Sequence, residues 1–198
     1  AGLPDDATLS ITIPAQGWST YWYYLATKAA AIEGLVDYIS FMEYDIWINT
    51  GVGYVGQIEA DITTYTADPS ESPPPNWSPG WGISRHLVKL GLMPGCDDNG
   101  QYLSVDDAVT LTQYAFDKKL FGVMTWDLNR DSGLVQTPSC EVYPQNYEYS
   151  TAIRDASNQA SEERDADTES IYSETKKQSR GRVVQLFERQ PPPSHGSP

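Results

Sequence analysis

Four short apolar segments, each bounded by turn chemistry, limit what this chain can become. They are Ala7–Ala15 (ATLSITIPA), Val36–Ile48 (VDYISFMEYDIWI), Leu87–Met93 (LVKLGLM) and Phe121–Leu128 (FGVMTWDL). Each is rich in apolar, β-branched or aromatic residues, and each predicts a strand. A Pro-Asp-Asp turn precedes the first, and Pro94-Gly95 closes the third. The intervals carry helical patterns. Ala26–Gly34 is Ala-rich and ends on a glycine suited to a C-cap, and Gln57–Tyr65 is a second such stretch. A third opens at Ser104-Val105-Asp106-Asp107 and sets Ala108, Val109, Leu111, Thr112, Ala115 and Phe116 largely on one face. Ser104 suits the N-cap, and the two aspartates complement the positive end of the helix. Strands alternating with helices predict a parallel sheet under covering helices, because parallel neighbours need a crossover. The near-continuous apolar strand cores fit burial on both faces.

Charge and rings are confined to one part of the chain. Of 27 Asp and Glu against 13 Lys and Arg, a net charge of −14, residues 1–150 hold 19 acids and only 6 bases. All six Trp and all but one Tyr also precede residue 150. Residues 151–198 are nearly neutral and polar and end in a Pro-rich stretch, so they read as a disordered tail with one weak helix and a short apolar island, Val183, Val184, Leu186 and Phe187. The expected organisation is a compact unit over 1–150 and a tail over 151–198. Acidity argues against nucleic acid, since no cationic excess replaces phosphate counterions. It argues equally against an anionic membrane. No run approaches the roughly 18 apolar residues that span a bilayer, and no basic start followed by an apolar stretch marks a signal peptide. Ala67–Gly80 reads as a Pro-rich surface loop containing the sequon Asn76-Trp77-Ser78.

In parallel α/β folds, ligands sit beyond the carboxyl ends of the strands. The second segment ends Met42-Glu43-Tyr44-Asp45, where alternation predicts Met42 and Tyr44 on one face, Glu43 and Asp45 on the other. A phenol and carboxylates at a buried strand end are costly unless hydrogen-bonded, which marks a site; a strand emerging into solvent is the alternative. The fourth segment repeats the design with Met124-Thr125-Trp126-Asp127, then Asn129, Arg130 and Asp131. Trp126 fits either core or the floor of a sugar subsite.

Those two segments carry a family resemblance. Val36–Asp45 (VDYISFMEYD) resembles the sixth-strand motif of family 18 glycoside hydrolases, the chitinase family, whose core is Met-x-Tyr-Asp. Gly122–Asp127 (GVMTWD) resembles their eighth strand. Leu87–Gly95 falls where strand seven belongs and Ala7–Gln16 where strand five belongs, so the likeness covers about residues 5–135 in order. It implies a partial (β/α)8 TIM barrel, about strands five to eight with their helices, followed by the tail. It further implies hydrolysis of β-1,4-linked N-acetylglucosamine polymers by substrate-assisted retaining catalysis, an exception to the two-carboxylate scheme. Tyr44 would bond the N-acetyl carbonyl, and Asp45 would bind hydroxyls or orient Tyr44. Met42, packed beneath the site, would join Glu43, Trp126 and Asp127 in substrate binding, with Trp126 stacked on the sugar.

The family's acid, the Glu of Asp-x-x-Asp-x-Asp-x-Glu on strand four, has no counterpart before Ala7. A literal match at Asp165-Ala166-Asp167-Thr168-Glu169 lies in the polar tail, where Ala and Thr cannot fill a barrel strand. The expectation is therefore a half barrel, inactive by itself or completed by an N-terminal half; a non-catalytic chitin-binding protein and an inactive truncated product are the alternatives. A full barrel needs about 250 residues. The expected partner is chitin or its oligosaccharides, and the expected location is extracellular by resemblance. Cys96 and Cys140 follow strands seven and eight; adjacent loops would allow a disulfide, against two free thiols. Two cysteines with His86 and His195 make no ligand set, so neither metal nor cofactor is expected. His86, ahead of the third strand, reads as structural.

Overall fold

The computed structural model describes residues 7–17, 20–32, 35–68, 70, 80–134 and 144–162. All four predicted strands form: β1 (Ser10–Pro14), β2 (Tyr38–Met42), β3 (Val88–Leu92) and β6 (Gly122–Thr125). They make one parallel sheet in the order β1-β2-β3-β6, with Ile11 opposite Ile39, Ile39 opposite Val88 and Leu90 opposite Val123. The crossovers are α1 (Thr20–Ala31), α2 (Tyr54–Thr66) and α3 (Val105–Asp117). A two-stranded ribbon, β4 (Gly95–Cys96) and β5 (Tyr102–Leu103), and one helical turn, α4 (Leu128–Asp131), follow strand ends.

Helix ends follow local chemistry. Ser104 Oγ accepts from Asp107 N at 3.0 Å, and the Asp107 carboxylate returns a bond to Ser104 N at 3.2 Å, a full capping box. The first helix starts earlier than its Ala-rich stretch suggested, at Thr20, and the expected cap Gly34 lies outside the described residues. His86 sits in a short 3-10 turn before β3, where its Nδ1 pairs with Ser84 Oγ at 2.9 Å.

One face of the sheet is the core. Ile13, Ile39, Phe41, Val88 and Leu90 pack against Ala26, Ile58, Ile62 and Tyr65 of the helices. Phe41 stacks on Tyr65 at 4.1 Å between ring centres, and Trp81 leans on both. The other face carries Thr12, Tyr38, Ser40, Met42, Lys89 and Met124, with Lys89 Nζ 4.2 Å from the Tyr38 ring centre. Gly91 lies between Met42 and Met124 in register, and a Cβ there would fall 2.8 Å from the Phe41 carbonyl oxygen. A side chain cannot fit without strand movement. Among the described residues no further strand pairs with β1 or β6 at the outer edges.

The compact unit runs past the boundary expected at residue 150, to Ser157. Residues 148–157 are helical because Asp131, fully buried, accepts from Tyr149 N at 3.0 Å and Ser150 N at 2.7 Å. Those are amides of the first turn, which have no partner within a helix. Tyr149 and Ile153 pack on the core, and the Tyr149 hydroxyl donates to the Leu103 carbonyl. A second unit begins at Asn158, and of it residues 158–162, helical, are described. The Asp165–Glu169 motif, the apolar island and the sequon lie outside the described residues.

Candidate functional site

The strand ends at Met42, and alternation holds through Tyr44 and fails at Asp45. Glu43 N still bonds to Gly91 O at 2.9 Å, but Asp45 adopts φ 55°, a left-handed conformation that Asp tolerates better than most residues. Asp45 therefore does not share a face with Glu43. Met42, Tyr44 and Asp45 instead line one cavity of about 360 Å³ with Pro14, Ala15, Trp22 and Ile46. It sits at the carboxyl ends of β1 and β2, where ligands bind in parallel α/β folds. Two larger cavities, about 570 and 540 Å³, share Arg85, Thr66 and Asp68 near the opposite strand ends. Asp68, held low by Ser70, and Tyr114, raised by burial, are the shifted groups lining them. The smaller cavity is the stronger candidate because it alone of the three lies at the carboxyl ends of the strands and gathers a phenol and a carboxylate there.

The Asp45 backbone is held by the ribbon that follows β3. Asp45 N donates to Asp97 Oδ2 at 2.8 Å, and Asp45 Oδ1 accepts from Asp98 N at 2.7 Å. Asp97 is buried, and its Oδ1 also accepts from Asn99 N and Gln101 N at 3.1 and 2.8 Å. Gln101 Nε2 reaches the Ile46 carbonyl at 2.6 Å. Arg130, beyond β6, donates Nη1 to the Cys96 carbonyl at 2.7 Å and pairs with Asp98 at 3.4 Å. Asp45 is thus tied to strand ends β3 and β6. One oxygen of its carboxylate is spent on the Asp98 amide.

Electrostatics set the phenol's role. Burial, then the charge of Asp45, pushes Tyr44 up to about 12 against the opposing pull of Arg130. Tyr44 is therefore a neutral hydroxyl that can donate a hydrogen bond throughout the neutral range. Burial likewise raises Asp45, with the Asp98 amide bond opposing it.

The remaining predicted residues scatter. Glu43 is fully buried, outside the cavity lining, and neither of its carboxyl oxygens has a hydrogen-bond partner. It faces α2, where Asp61 stands near and the Tyr65 phenol lies beside it off hydrogen-bonding geometry. Burial first, then the Asp61 charge, raises its proton affinity well above normal. Trp126 is 54% exposed at the end of β6, follows a backbone bond to Leu92 O, and is not part of the Tyr44 cavity lining. The Trp126–Asp127 peptide is cis. Asp127 caps α4 by accepting from Arg130 N at 2.9 Å. Cys96 is disulfide-bonded, and Cys140 lies outside the described residues.

Sequence reasoning passed over Asp97, Trp22, Gln16 and Asp61. The run Cys96-Asp97-Asp98-Asn99-Gly100 is a turn signature whose first Asp can fold back on its own backbone. Gln57 and Asp61 occupy the same helical face as Ile58, Ile62 and Tyr65, a polar interruption visible in the periodicity. Among the described residues, no three His, Cys, Asp or Glu gather as metal ligands and no helix is long and apolar enough to cross a membrane.

Comparison with known proteins bears on the fold. No protein-family model matches the sequence, and no curated protein matches it. Solved structures do match. One is active domain 2 of the thermostable chitinase from Pyrococcus furiosus, as catalytic-site mutants complexed with chito-oligosaccharides, at TM-score 0.52 and 17% identity. Another is the catalytic domain of the hyperthermophilic chitinase from the same organism, at TM-score 0.50 and 17% identity. Each match covers 77% of this chain and 51% of the other. The chain spans about half the length of the chitinase domains it matches, and it shares their α/β fold.

Proposed function

We propose that this chain is the strand five-to-eight half of a chitinase-like barrel, and that the Met42–Tyr44–Asp45 cavity receives one N-acetylglucosamine unit of a β-1,4-linked polymer. The observation that carries this is the cavity itself. A neutral phenol and a restrained carboxylate meet an apolar wall at a strand end, in a fold that chitinases share. Tyr44 would donate to the N-acetyl carbonyl and hold its oxygen against the anomeric carbon, to which it bonds as the bond to the leaving glycosidic oxygen breaks. Asp45, its carboxylate held by the backbone amides of Asp98 and Asn99, would act mainly by fixing Tyr44. Trp126, more than half exposed, would give a sugar a ring to stack on. The disulfide at Cys96 supports an oxidising, extracellular setting.

A binding-only reading is favoured by one feature. The residues lining the cavity include no carboxyl free to protonate a glycosidic oxygen, since Asp45 is engaged and Glu43 faces the helices. Hydrolysis would need an acid from a strand-four half, whereas binding needs only the cavity and rings. Titration calorimetry of the full chain with chitotetraose, beside a reducing-end assay, separates the readings. Binding without turnover is expected. Tyr44→Phe should weaken binding about fivefold, the worth of one net hydrogen bond near 1 kcal/mol. Absence of binding to any chito-oligosaccharide refutes the proposal.

A further inference from the structure

The loop after the Tyr44–Asp45 pair is held from behind by one carboxylate. Asp61, on the buried face of α2, accepts from Gln57 Nε2 at 2.9 Å through Oδ1 and from Gln16 Nε2 at 3.0 Å through Oδ2. Each amide turns its other end toward the loop. Gln57 Oε1 accepts from Asn49 N at 3.1 Å and Asn49 Nδ2 at 2.7 Å. Gln16 Oε1 accepts from Trp47 N at 2.9 Å, while Gln16 Nε2 also donates to Trp47 O at 2.8 Å. Two side chains from different elements therefore grip the loop, and a single carboxylate decides which way both amides face. An amide turned over would point N–H at the loop's own N–H groups, and those contacts would be lost.

We propose that Asp61 is a positioning residue for the Ile46–Asn49 loop, and that adding a proton to it releases the loop from the cavity it borders. Ile46 lines that cavity beside Tyr44 and Asp45, so the loop is one of its walls. The ionisable groups facing Asp61 are the Glu43 carboxyl from the end of β2 and the Tyr65 phenol from its own helix; the groups from the β1 side and the preceding turn of α2 are the neutral amides of Gln16 and Gln57. Burial raises both Glu43 and Tyr65 above their ordinary values, and neither bonds to the two amides, so the docking contacts run through Asp61 alone. Burial pushes Asp61 up to about 6, and the two amide donors pull the other way by favouring the charged form. By linkage, charge on Asp61 favours the docked arms, and a proton turns one accepting oxygen into a competing donor.

The test follows Trp47, which is 67% exposed within the held loop. The full chain is labelled with 5-fluorotryptophan, and the Trp47 fluorine resonance is assigned by its loss in Trp47→Phe. Between pH 8 and 5 that resonance should shift or broaden with a one-proton midpoint near 6. Asp61→Asn should show the low-pH signal at every pH. Gln16→Ala, at a partly exposed side chain, should show the same released signal while keeping the α2 packing, and it decides the matter if Asp61→Asn does not fold. A Trp47 resonance indifferent to pH, or unchanged in Gln16→Ala, overturns the proposal. A second arm rests on the carbohydrate reading: chitotetraose affinity of the wild type should fall severalfold from pH 7.5 to 5.5 and be flat in Asp61→Asn. Affinity independent of pH overturns the link to the cavity. No binding at any pH refutes the carbohydrate reading, and the fluorine result then judges Asp61 by itself.

Discussion

Replacing Glu43 by Gln removes a buried proton equilibrium while keeping the shape of the side chain. Glu43 is fully buried and neither oxygen is hydrogen-bonded, so its charged form is poorly compensated, the nearby Tyr65 hydroxyl alone favouring it. Its proton affinity in the fold is raised well above the ordinary 4.5, first by burial and then by Asp61. A carboxyl raised in the fold stabilises most below its unfolded value. As pH climbs past 4.5 the unfolded chain ionises and the folded chain does not, so stability is lost until the folded group ionises as well. The slope inside that window is about 1.4 kcal/mol per pH unit. Asp61 adds its own loss. With its value moved from 3.8 to about 6, it costs roughly 3 kcal/mol, accumulated between about pH 4 and 6. Because Asp61 is present in both proteins, the difference between variant and wild type isolates Glu43. Urea unfolding at half-unit steps from pH 4.5 to 8 should show the two proteins nearly equal at the acid end. Glu43→Gln should then gain about 1.4 kcal/mol per unit over the wild type as pH rises, before levelling off. Parallel stability curves would show that Glu43 ionises freely in the fold, and the account of the buried pair would fail.

Two further perturbations probe the scaffold. Gly91→Ala places a Cβ 2.8 Å from the Phe41 carbonyl and 3.2 Å from Met124 Cε, so it should cost about 1–3 kcal/mol through strand displacement; an unchanged urea midpoint would refute the close approach. Ser104→Ala opens the capping box of α3 and should cost about 1 kcal/mol, with Ser104→Asp recovering most of it; equal midpoints for all three proteins would deny the cap any part in stability.

The sheet was legible because its signals are local. Ile11, Ile13, Ile39, Val88 and Leu90 are β-branched or apolar at the right spacing, and turn residues bound each run, so strand positions follow from side-chain chemistry close to home. The α3 cap was legible for the same reason, since Ser104 and Asp107 act across three residues. Alternation failed at Asp45 because its backbone is fixed by Asp97, 52 residues away. No period in the sequence reports such a bond. The helix that carries the compact unit past residue 150 has no local start signal, because the carboxylate capping it, Asp131, stands 18 residues upstream. The pairing of Tyr44 with a cavity was legible through its strand-end position, and alternation already set Glu43 on the face opposite Met42 and Tyr44; that this face packs against α2 was not legible. A Glu among apolar neighbours reads as site chemistry when a parallel strand has a ligand-facing end.

Glu43 and Asp61 share one buried neighbourhood on the helix side of β2. A carboxyl buried against a helix lowers stability at neutral pH, as does its neighbour, and two unfavourable groups side by side need a reason beyond packing. Asp61 has one: its two oxygens orient the two amides that hold residues 47 and 49. A neutral amide in its place could accept at one oxygen only and would present N–H to the other arm. Glu43 contributes no such bond. Its position beside Asp61 means that its ionisation at high pH would place a second charge against the first, and the pair cannot readily carry both. The loop is thus gripped most firmly where Asp61 is charged. Removing the Glu43 proton equilibrium should leave the acid midpoint, set by Asp61, where it was, and Trp47 fluorine spectra of Glu43→Gln from pH 8 to 5 would show that midpoint unchanged. An acid midpoint that moved with Glu43 would mean that the two carboxyls titrate as one shared site.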